Sequence, residues 1–548
     1  MPANPRHATT SNASRDRWRR LRRVRRLVQI VAFLLFVVLL VLTQQRSSGS
    51  PWAGLFFRLD PLAGISAMLA ARAWLPLFAL GMITIVVTLS FGRVWCGWIC
   101  PMGTLLEWLR WPGAERTGRH IPDSLRLGKY ALLGVILGMA ALGSLTLLIL
   151  DPIGLLTRGA TVAVLPALDA ALIALQSALA NWEPTQGVGF WMQQHAQGSV
   201  YPPAASHYAQ AIAIVALLAI IVALNVLADR FWCRYLCPLG GLLALLARIQ
   251  VLRPQVTASC TTCGACNRSC RLGAITPATG SAETGERQTP HVVTAECTMC
   301  LDCLTACSRG GAMTMGTAAP RLPQQSFDPG RRAFLTAAGL GAGALAGAGA
   351  AAALGINAPA AEADARLIRP PGAQDEERFT AQCIRCGECL LVCPTAGLQP
   401  ALLQGGLGAI WTPVLTPRLG YCDYTCNACG HVCPSGAIPA LDLPVKQTQV
   451  IGRAAIDRSR CLPWALGQPC LICEEMCPVP EKAIVMDEPQ LVTRDDGTQD
   501  TIARPYVVNQ RCIGCGICEN KCPVEGTAAI VVRRSSGAQG RQRRGQST

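Results

Sequence analysis

The stretch "CIRCGECLLVCP" at residues 383–394 sets four cysteines in the order Cys-x2-Cys-x2-Cys-x3-Cys, with a proline directly behind the last one. Three other sets repeat this order, and two more differ in the first gap, which is three residues after Cys422 and eight after Cys461. The six sets use 24 of the 28 cysteines. They are Cys260, Cys263, Cys266 and Cys270; Cys297, Cys300, Cys303 and Cys307; Cys383, Cys386, Cys389 and Cys393; Cys422, Cys426, Cys429 and Cys433; Cys461, Cys470, Cys473 and Cys477; and Cys512, Cys515, Cys518 and Cys522.

This spacing is typical of ligands to 4Fe–4S clusters, because three cysteines in a tight loop bind three irons and the fourth reaches the partner cluster. Zinc ribbons use separated Cys-x2-Cys knuckles instead, and disulfides between such close neighbours are strained. The sequence therefore predicts six 4Fe–4S clusters in α+β bacterial-type ferredoxin domains, one with two clusters and one with four. Arg271 and Ser308 replace the trailing proline in two sets, so the loops there depart from the pattern.

The chain as a whole is apolar, because 51% of its residues are hydrophobic and only 15% are charged. Four runs, 27–43, 72–91, 129–150 and 208–228, approach the length of about 20 residues that spans a bilayer as a helix. We expect an α-helical membrane domain with four spans. Nine arginines within the first 26 residues hold the N-terminus in the cytoplasm, and the loops 44–71 and 151–207 then lie outside.

The formal net charge of +16 invites a nucleic-acid interpretation. An oxidised cubane with four thiolates carries about −2, so six of them offset most of this charge. The arginines also flank apolar runs. We therefore expect the lipid bilayer as a partner and no nucleic acid.

The membrane part contains an internal repeat. "LDPLAG" at 59–64 is followed by "GRVWCGWICPMGTLLE" at 92–107, and "LDPIGL" at 150–155 is followed by "DRFWCRYLCPLGGLLA" at 229–244. The repeat gives the pairs Cys96/Cys100 and Cys233/Cys237 on one side, each before a proline that can open a helix and place the second thiol at its N-terminus. These four cysteines form a metal or redox site, a reversible disulfide, or a set of reduced packing residues.

Haem is not expected, since the chain has no Cys-x2-Cys-His and no histidine in the middle of a predicted span. Polar residues near the outer helix ends are candidates for a quinol pocket, with helix capping and solvated loops as the alternative. They are Asp60, Asp151 and His207.

Arg331 and Arg332 begin the stretch "RRAFLTAAGLGAGALAGAGAAAALGI", which has the twin-arginine export pattern although it lies past the middle of the chain. It is either a leader that directs the following domain to the periplasm or a fifth helix, and a flexible linker is the alternative. The predicted domains are a basic N-terminus (1–26), the membrane domain (27–255), a two-cluster ferredoxin domain (256–320), the leader and linker (321–365), a four-cluster ferredoxin domain (366–534) and a disordered basic tail (535–548).

The first part, with two Cys-x3-Cys-Pro motifs and two ferredoxin motifs, resembles the NapH-type membrane subunit of the NapGH quinol dehydrogenase. The second, with its twin-arginine stretch, "RPPGA" at 369–373 and "CIRCGECLLVCPTAGLQPA" at 383–401, resembles the NapG-type ferredoxin. MauN/MauM proteins share the layout. The resemblance implies a fused quinol dehydrogenase of the bacterial inner membrane, which passes electrons from membrane quinol to a periplasmic reductase or c-type cytochrome.

The resemblance also implies a nested exchange of fourth cysteines in the last domain. In that arrangement Cys522 completes the set of Cys383, and Cys393 completes the set of Cys512. Likewise Cys477 completes the set of Cys422, and Cys433 completes the set of Cys461.

Two other functions remain open at the level of sequence. One is a redox maturation or regulatory polyferredoxin for a respiratory metalloenzyme. The other is a membrane-tethered ferredoxin store without quinol contact.

Overall fold

The structure is a computed structural model. It describes residues 5–44, 52–110, 123–198, 200–202, 205–257, 259–276, 289–307, 312–317, 366–402, 404–493 and 499–534. The twin-arginine stretch, predicted as a leader or a fifth helix, lies outside the described residues. The predicted basic tail (535–548) lies outside them as well.

The first element of the membrane domain is a single long helix, Pro5–Gln44. Its 40 residues correspond to about 60 Å at 1.5 Å per residue. Near its N-terminus Arg15 Nε donates to the Thr305 carbonyl at 3.3 Å and Arg22 pairs with Asp302 at 2.7 Å. Beyond its C-terminus, Ala53 packs against Val392. The two ferredoxin domains therefore contact opposite ends of the membrane domain.

The first repeat begins with the short helix Leu55–Arg58, and Asp60, two residues further on, is the N-cap of the next helix. The Asp60 carboxylate accepts from the Leu62 and Ala63 amides at 2.8 and 3.3 Å, and Pro61 fits the first turn. The helices and turns are Leu55–Arg58, Pro61–Ala71, Pro76–Phe78, Gly81–Phe91, the π-helical turn Trp95–Ile99 and Pro101–Trp108.

The second repeat follows the same plan with Asp151 as the N-cap, which accepts from the Gly154 amide at 2.8 Å. Its helices and turns are Asp123–Arg126, Leu127–Ala141, Thr146–Leu150, Pro152–Gly159, Ala160–Val164, Leu165–Asn181, Glu183–Thr185, Gln186–His195, Ala211–Ala223, Leu224–Val226, the π-helical turn Trp232–Leu236, Pro238–Leu246 and Ala247–Ile249.

Three helices in the described part of the chain are long and apolar enough to cross a membrane: Arg15–Gln44, Ser124–Ala141 and Pro152–Asn181. Two of the predicted spans, 72–91 and 208–228, correspond to the shorter apolar helices Pro76–Phe91 and Ala211–Val226.

The prediction that 151–207 is a loop is wrong for residues 152–181, which form the 30-residue helix Pro152–Asn181. The polar groups of this helix have partners in other parts of the chain. Arg158 Nη1 donates to the Arg385 carbonyl at 2.8 Å, and Asp169 accepts from Gln44 Nε2 at 2.8 Å. Pro166 is the second residue of the helical segment that follows the π-helical turn Ala160–Val164.

The N-terminal ferredoxin domain is closed by an antiparallel pair of strands in which Leu252 lies opposite Thr317. The first of these strands starts at Leu252, before the boundary predicted at 256. Its elements are the strand Leu252–Val256, the helix Ala265–Ser269, the turn Thr294–Glu296, the helix Asp302–Ala306 and the strand Met313–Thr317.

The C-terminal ferredoxin domain combines short helices with two-stranded antiparallel sheets, as expected for an α+β ferredoxin. The helices and turns are Glu376–Gln382, Glu388–Leu391, Leu407–Ala409, Ala428–His431, Leu443–Thr448, Leu462–Leu466, Ile472–Glu475 and Ile517–Lys521. The described strands of this domain form four antiparallel pairs: Leu398–Pro400 with Pro413–Leu415, Arg453–Ile456 with Ile530–Arg533, Ile484–Met486 with Pro505–Val507, and Gln490–Thr493 with Gln499–Ile502.

Candidate metal centres

In the N-terminal ferredoxin domain the eight cysteines line two cavities. Each cavity takes three cysteines from one set and the fourth from the other. One is lined by Cys297, Cys300, Cys303 and Cys270, and the other by Cys260, Cys263, Cys266 and Cys307. This exchange is the arrangement that the spacing predicts for a two-cluster ferredoxin.

In four of the six sets, a left-handed backbone position between the second and third cysteine turns the loop. Gly264, Gly387 and Gly516 hold it with φ of 72°, 91° and 84°, where glycine is favoured. Leu301 occupies the same position in its set with φ of 66°. The short helix that follows carries the third cysteine, so the turn directs three thiols to one side.

The C-terminal ferredoxin domain contains four such groups, which we name cavities A to D. The members of each cavity are the four cysteines that line it or whose thiols interact with one another. Cavity A has Cys383, Cys386, Cys389 and Cys433; cavity B has Cys422, Cys426, Cys429 and Cys393; cavity C has Cys512, Cys515, Cys518 and Cys477; and cavity D has Cys461, Cys470, Cys473 and Cys522.

The nested exchange of fourth cysteines is therefore wrong. Each set exchanges its fourth cysteine with the neighbouring set in the chain, because the sheets bring neighbours together. Strand Leu398–Pro400 pairs with Pro413–Leu415, which joins the first two sets. Strand Arg453–Ile456 pairs with Ile530–Arg533, which joins the last two.

The four cavities follow one another in a line. Cys389 of cavity A interacts with Cys429 of cavity B. The Cys422 amide of cavity B donates to the Cys515 carbonyl of cavity C at 2.8 Å. Cys518 of cavity C interacts with Cys473 of cavity D. Cavity A packs against the membrane domain, since Cys386 belongs to the same apolar core as Met102 and Leu155.

Burial makes these thiols poor acids on their own. In the N-terminal domain burial raises the pKa of Cys297 to about 12 and that of Cys300 to about 11, and in the C-terminal domain it raises the pKa of Cys473 to about 12. Metal binding needs the thiolate, so metal insertion must displace protons. In the two cavities of the N-terminal domain and in cavities B and D, the four thiols and a mostly apolar wall fit an iron–sulfur cluster.

No three His, Cys, Asp or Glu side chains among the described residues are arranged to hold one metal ion. A tetrahedral ion such as zinc, at about 2.3 Å from sulfur, needs thiolates only about 3.8 Å apart. A group of four thiols also suits an iron–sulfur cluster, in which each iron takes one thiolate.

The two membrane-edge pairs meet in one buried group, the four-cysteine site, formed by Cys96, Cys100, Cys233 and Cys237. Their exposed fractions are 8, 5, 8 and 4%, and every thiol interacts electrostatically with others of the group. Cys100 and Cys237 are N-caps of the helices that Pro101 and Pro238 open, as predicted, and Cys237 Sγ accepts from the Gly240 amide at 3.2 Å.

Asp60 and Asp151, two of the candidate quinol residues, also meet. Both are buried, with 0 and 3% exposure, and their side chains contact each other. His207 is placed elsewhere on the same side, where its backbone carbonyl accepts from Gln399 Nε2 at 3.0 Å. The structure thus brings the two aspartates together, and it positions His207 against the C-terminal ferredoxin domain.

Curated relatives of this chain are ferredoxin-type proteins. It is 38% identical over 186 residues to the methylamine utilization ferredoxin-type protein MauM of Paracoccus denitrificans, which covers 33% of this chain and 78% of the relative. It is 34% identical over 214 residues to the ferredoxin-type protein NapG of Escherichia coli, covering 37% of this chain and 85% of the relative. The chain belongs to the ferredoxin-type protein family of MauM and NapG.

A family model described as a 4Fe-4S binding domain matches this ferredoxin-type protein at residues 73–120 and 210–254. Each matched segment contains only one cysteine pair of the four-cysteine site, so neither holds four thiols by itself. No solved structure gives a significant match. Ferredoxin-type iron–sulfur electron transfer follows for the chain from these relationships.

The roles of several arginines at these sites were not predicted from the sequence. Arg93 and Arg230 each precede a cysteine pair by three residues, and this repeated position was the available signal. Arg93 Nη2 donates to the Cys233 carbonyl at 3.3 Å, and Arg230 Nη2 donates to the Cys96 carbonyl at 3.2 Å. Each arginine thus crosses to the cysteine pair of the other repeat. No signal marked Arg158, whose partner lies in another domain.

Proposed function

We propose that this chain is a quinol dehydrogenase of the inner membrane, in which a NapH-type membrane part and a NapG-type ferredoxin are fused in one polypeptide. It takes electrons from membrane quinol and delivers them through 4Fe–4S clusters to a periplasmic reductase or c-type cytochrome. The membrane part has four spans, and the six cysteine sets hold six clusters.

The observation that carries this proposal is the contact between Asp60 and Asp151 beside cavity A. Arg158, two turns after Asp151, donates from Nη1 to the Arg385 carbonyl at 2.8 Å, and Arg385 lies between Cys383 and Cys386. A proton-accepting group and the first electron-accepting group are therefore neighbours. Quinol oxidation needs both, because it releases protons together with electrons.

The two carboxyl groups are suited to hold a proton. No donor among the described residues reaches Asp60 Oδ2 or Asp151 Oδ1, although the two side chains contact each other. Two buried carboxylates in contact repel each other, and a proton shared between them removes the repulsion and supplies the missing donor. The pair then accepts a proton from a quinol hydroxyl and passes it outward.

The clusters supply one-electron chemistry: each takes a single electron, so the two electrons of a quinol are separated. The line of cavities A to D gives these electrons a route away from the membrane. Cavity D, at the end of the line, is the exit to the soluble acceptor.

The position of the ferredoxin domains at opposite ends of the helix Pro5–Gln44 supports a periplasmic C-terminal domain. On this proposal the stretch 333–356 crosses the membrane, as a retained fifth helix or as a leader. The arginines at the N-terminus keep the first ferredoxin domain in the cytoplasm.

The test is to add a quinol to the anaerobically purified full chain and follow cluster absorbance and electron spin signals. Reduction by quinol that a quinone-site inhibitor blocks is the expected result. A chain that dithionite reduces fully and quinol does not reduce at all would be a polyferredoxin without quinol contact, and the proposal would be wrong.

A further inference from the structure

The N-terminal ferredoxin domain has no part in the route from quinol through cavities A to D. We infer that the exposed end of this domain is a docking surface for a small acidic electron-carrier protein of the ferredoxin type, which delivers single electrons to the chain there. The inference goes beyond the proposed function and rests on it only for the clusters of this domain and for its cytoplasmic location.

The membrane domain covers one of the two cavities of this domain. The cavity of Cys297 lies against it, because Trp98 Nε1 donates to the Met299 carbonyl at 3.0 Å. Thr298 and Met299 are buried there, at 3 and 5% exposure. We call this cavity the inner cavity, and we call the cavity of Cys263 the outer cavity. A second protein therefore approaches the domain from the side of the outer cavity.

The outer cavity reaches the surface of the protein. Cys263 is exposed, whereas every other cysteine in the described part of the chain is buried or half-buried. Ser259 and Thr261, on the same loop, are exposed as well and have short side chains. A carrier that docks here therefore comes into direct contact with the loop of a cluster ligand.

The two cavities are joined inside the domain. They share one apolar core, to which Cys266, Cys270, Cys303 and Cys307 contribute. Cys270 belongs to the outer set and lines the inner cavity, and Cys307 does the reverse. The docked carrier thus lies at one end of a continuous row of ligands that ends at the membrane domain. The redox step balances, since the reduced carrier loses one electron, the chain gains it, and no bond or proton moves.

The carboxylates of this domain are withdrawn from its surface. Glu296 and Asp302 are the two that lie within its described residues, and each is 4% exposed. Glu296 pairs with Lys129 of the membrane domain at 2.6 Å, and Asp302 pairs with Arg22 of the first helix at 2.7 Å. In the part that the structure describes, the domain therefore presents no carboxylate of its own to a partner.

An arginine stands at the exposed ligand loop instead. Arg268 is exposed, and its Nη1 lies 3.0 Å from the position that a Cβ on Gly264 would take. Gly264 is the left-handed turn that follows Cys263. The guanidinium therefore lies directly over the turn of the outer ligand loop.

The first helix adds further cations at the same end of the domain. Trp18 packs on the apolar core that contains Cys307 of the outer cavity. Its neighbours Arg17 and Arg20 are exposed, and Asp16 is the single acid between residues 15 and 26. The surface around the outer cavity is therefore positive, which is complementary to an acidic carrier and accelerates its association.

A lipid surface fits these arginines less well than a protein. Arg17 precedes Leu27, the start of the apolar run, by ten residues, which is about 15 Å of helix. The headgroup layer on each side of a bilayer is only about 5 to 8 Å thick, so Arg17 extends beyond it even at the usual tilt of about 20°. The exposed ligand loop among the arginines likewise favours an electron carrier over a nucleic acid.

The test measures binding of an acidic plant-type ferredoxin to the anaerobic full chain in nanodiscs of neutral lipid. We expect binding at low salt that weakens as ionic strength rises, because salt screens exposed charges. Arg17→Gln/Arg268→Gln should weaken binding about tenfold or more at low salt. Arg23→Gln/Arg26→Gln is the matched control, because it removes the same charge from exposed positions nearer the membrane, and it should change the affinity less than about twofold.

Equal weakening in the two variants would overturn the inference. A ferredoxin that does not bind, together with anionic vesicles or a DNA duplex that bind and are released in Arg17→Gln/Arg268→Gln, would overturn it as well and would make this face a lipid or nucleic-acid surface. A basic c-type cytochrome should not bind, and its binding with the affinity of the ferredoxin would contradict the charge argument.

Hydrogen exchange locates the surface in the wild-type chain without any variant. With ferredoxin present, exchange should slow in residues 15–22 and 259–269, which mass spectrometry measures. Protection confined to the C-terminal ferredoxin domain would contradict the inference. Reduced ferredoxin should also transfer one electron to the oxidised chain, at a rate that falls with ionic strength.

These outcomes are independent of quinol oxidation. A chain that binds the carrier at this surface but is not reduced by quinol would remove the proposed function and leave the docking surface. A chain that quinol reduces but that binds no carrier would do the reverse.

Discussion

Arg158 of the membrane domain donates a hydrogen bond of 2.8 Å to the backbone carbonyl of Arg385 in the C-terminal ferredoxin domain. Both arginines are buried, at 3 and 1% exposure, and Arg385 Nη1 in turn donates to the Cys383 carbonyl at 3.1 Å. The contact fixes the first cysteine loop of cavity A against the helix that Asp151 caps. It joins two parts of the chain separated by 227 residues.

Arg158→Met should loosen this docking. A hydrogen bond from a charged donor contributes about 1.5 to 3 kcal/mol, and its loss leaves a buried carbonyl without that donor. We expect hydrogen exchange in residues 376–391 to become about tenfold faster or more, which mass spectrometry measures. Arg460→Met is the control, because Arg460 makes exposed bonds to the Glu525 and Thr527 carbonyls at 3.3 and 2.9 Å. Equal exchange in the two variants would mean that Arg158 does not hold the interface.

The exchange of fourth cysteines makes a sharp prediction for single variants. Cys433→Ser should expose the thiols of Cys383, Cys386 and Cys389 to alkylation, because Cys433 interacts with that set. Cys522→Ser should expose the set of Cys461 and leave that of Cys383 protected. Peptide mass spectrometry after alkylation distinguishes the two patterns. The opposite pattern would restore the nested arrangement.

Asp60→Asn and Asp151→Asn should each slow quinol-dependent cluster reduction by about tenfold to a thousandfold, as loss of a general base typically does. Reduction by dithionite should stay unchanged, because the clusters themselves are intact. Asp169→Asn is the matched control, as Asp169 is a buried acid of the same domain whose carboxylate bonds to Gln44. If the control slows as much as either variant, the aspartate pair has no special part in proton transfer.

Gly97→Ala should separate the membrane domain from the N-terminal ferredoxin domain. The added Cβ would meet the Thr298 carbonyl oxygen at 2.2 Å, so the backbones must move apart. Such overpacking costs about 1 to 3 kcal/mol, and we expect a lower thermal midpoint for loss of the iron–sulfur absorbance. Gly134→Ala, where nothing lies within 4 Å, should leave this midpoint the same or slightly higher. A midpoint for Gly97→Ala equal to wild type would show that the contact is not tight.

Much of the candidate site could be predicted from local patterns. Cysteine spacing within each set identified the ligand loops, because a cluster is wrapped by a short segment whose geometry depends on few residues. The repeated "LDP" placed Asp60 and Asp151 at equivalent points of the two repeats, and the helix capping that was one of their two expected roles acts locally. The helix Pro152–Asn181 was missed, because Arg158 and Asp169 are accommodated by partners distant in the chain.

The sequence by itself determined which cysteines form sets, where the two repeats begin and that part of the chain is apolar enough for a membrane. Only the tertiary structure decided that each fourth cysteine serves the neighbouring set, that Asp60 meets Asp151, and that the two cysteine pairs share one buried site. The physical reason is range: a loop or a helix cap depends on residues a few positions apart. The pairing of whole segments depends instead on which strands and repeats pack together, and spacing does not encode that.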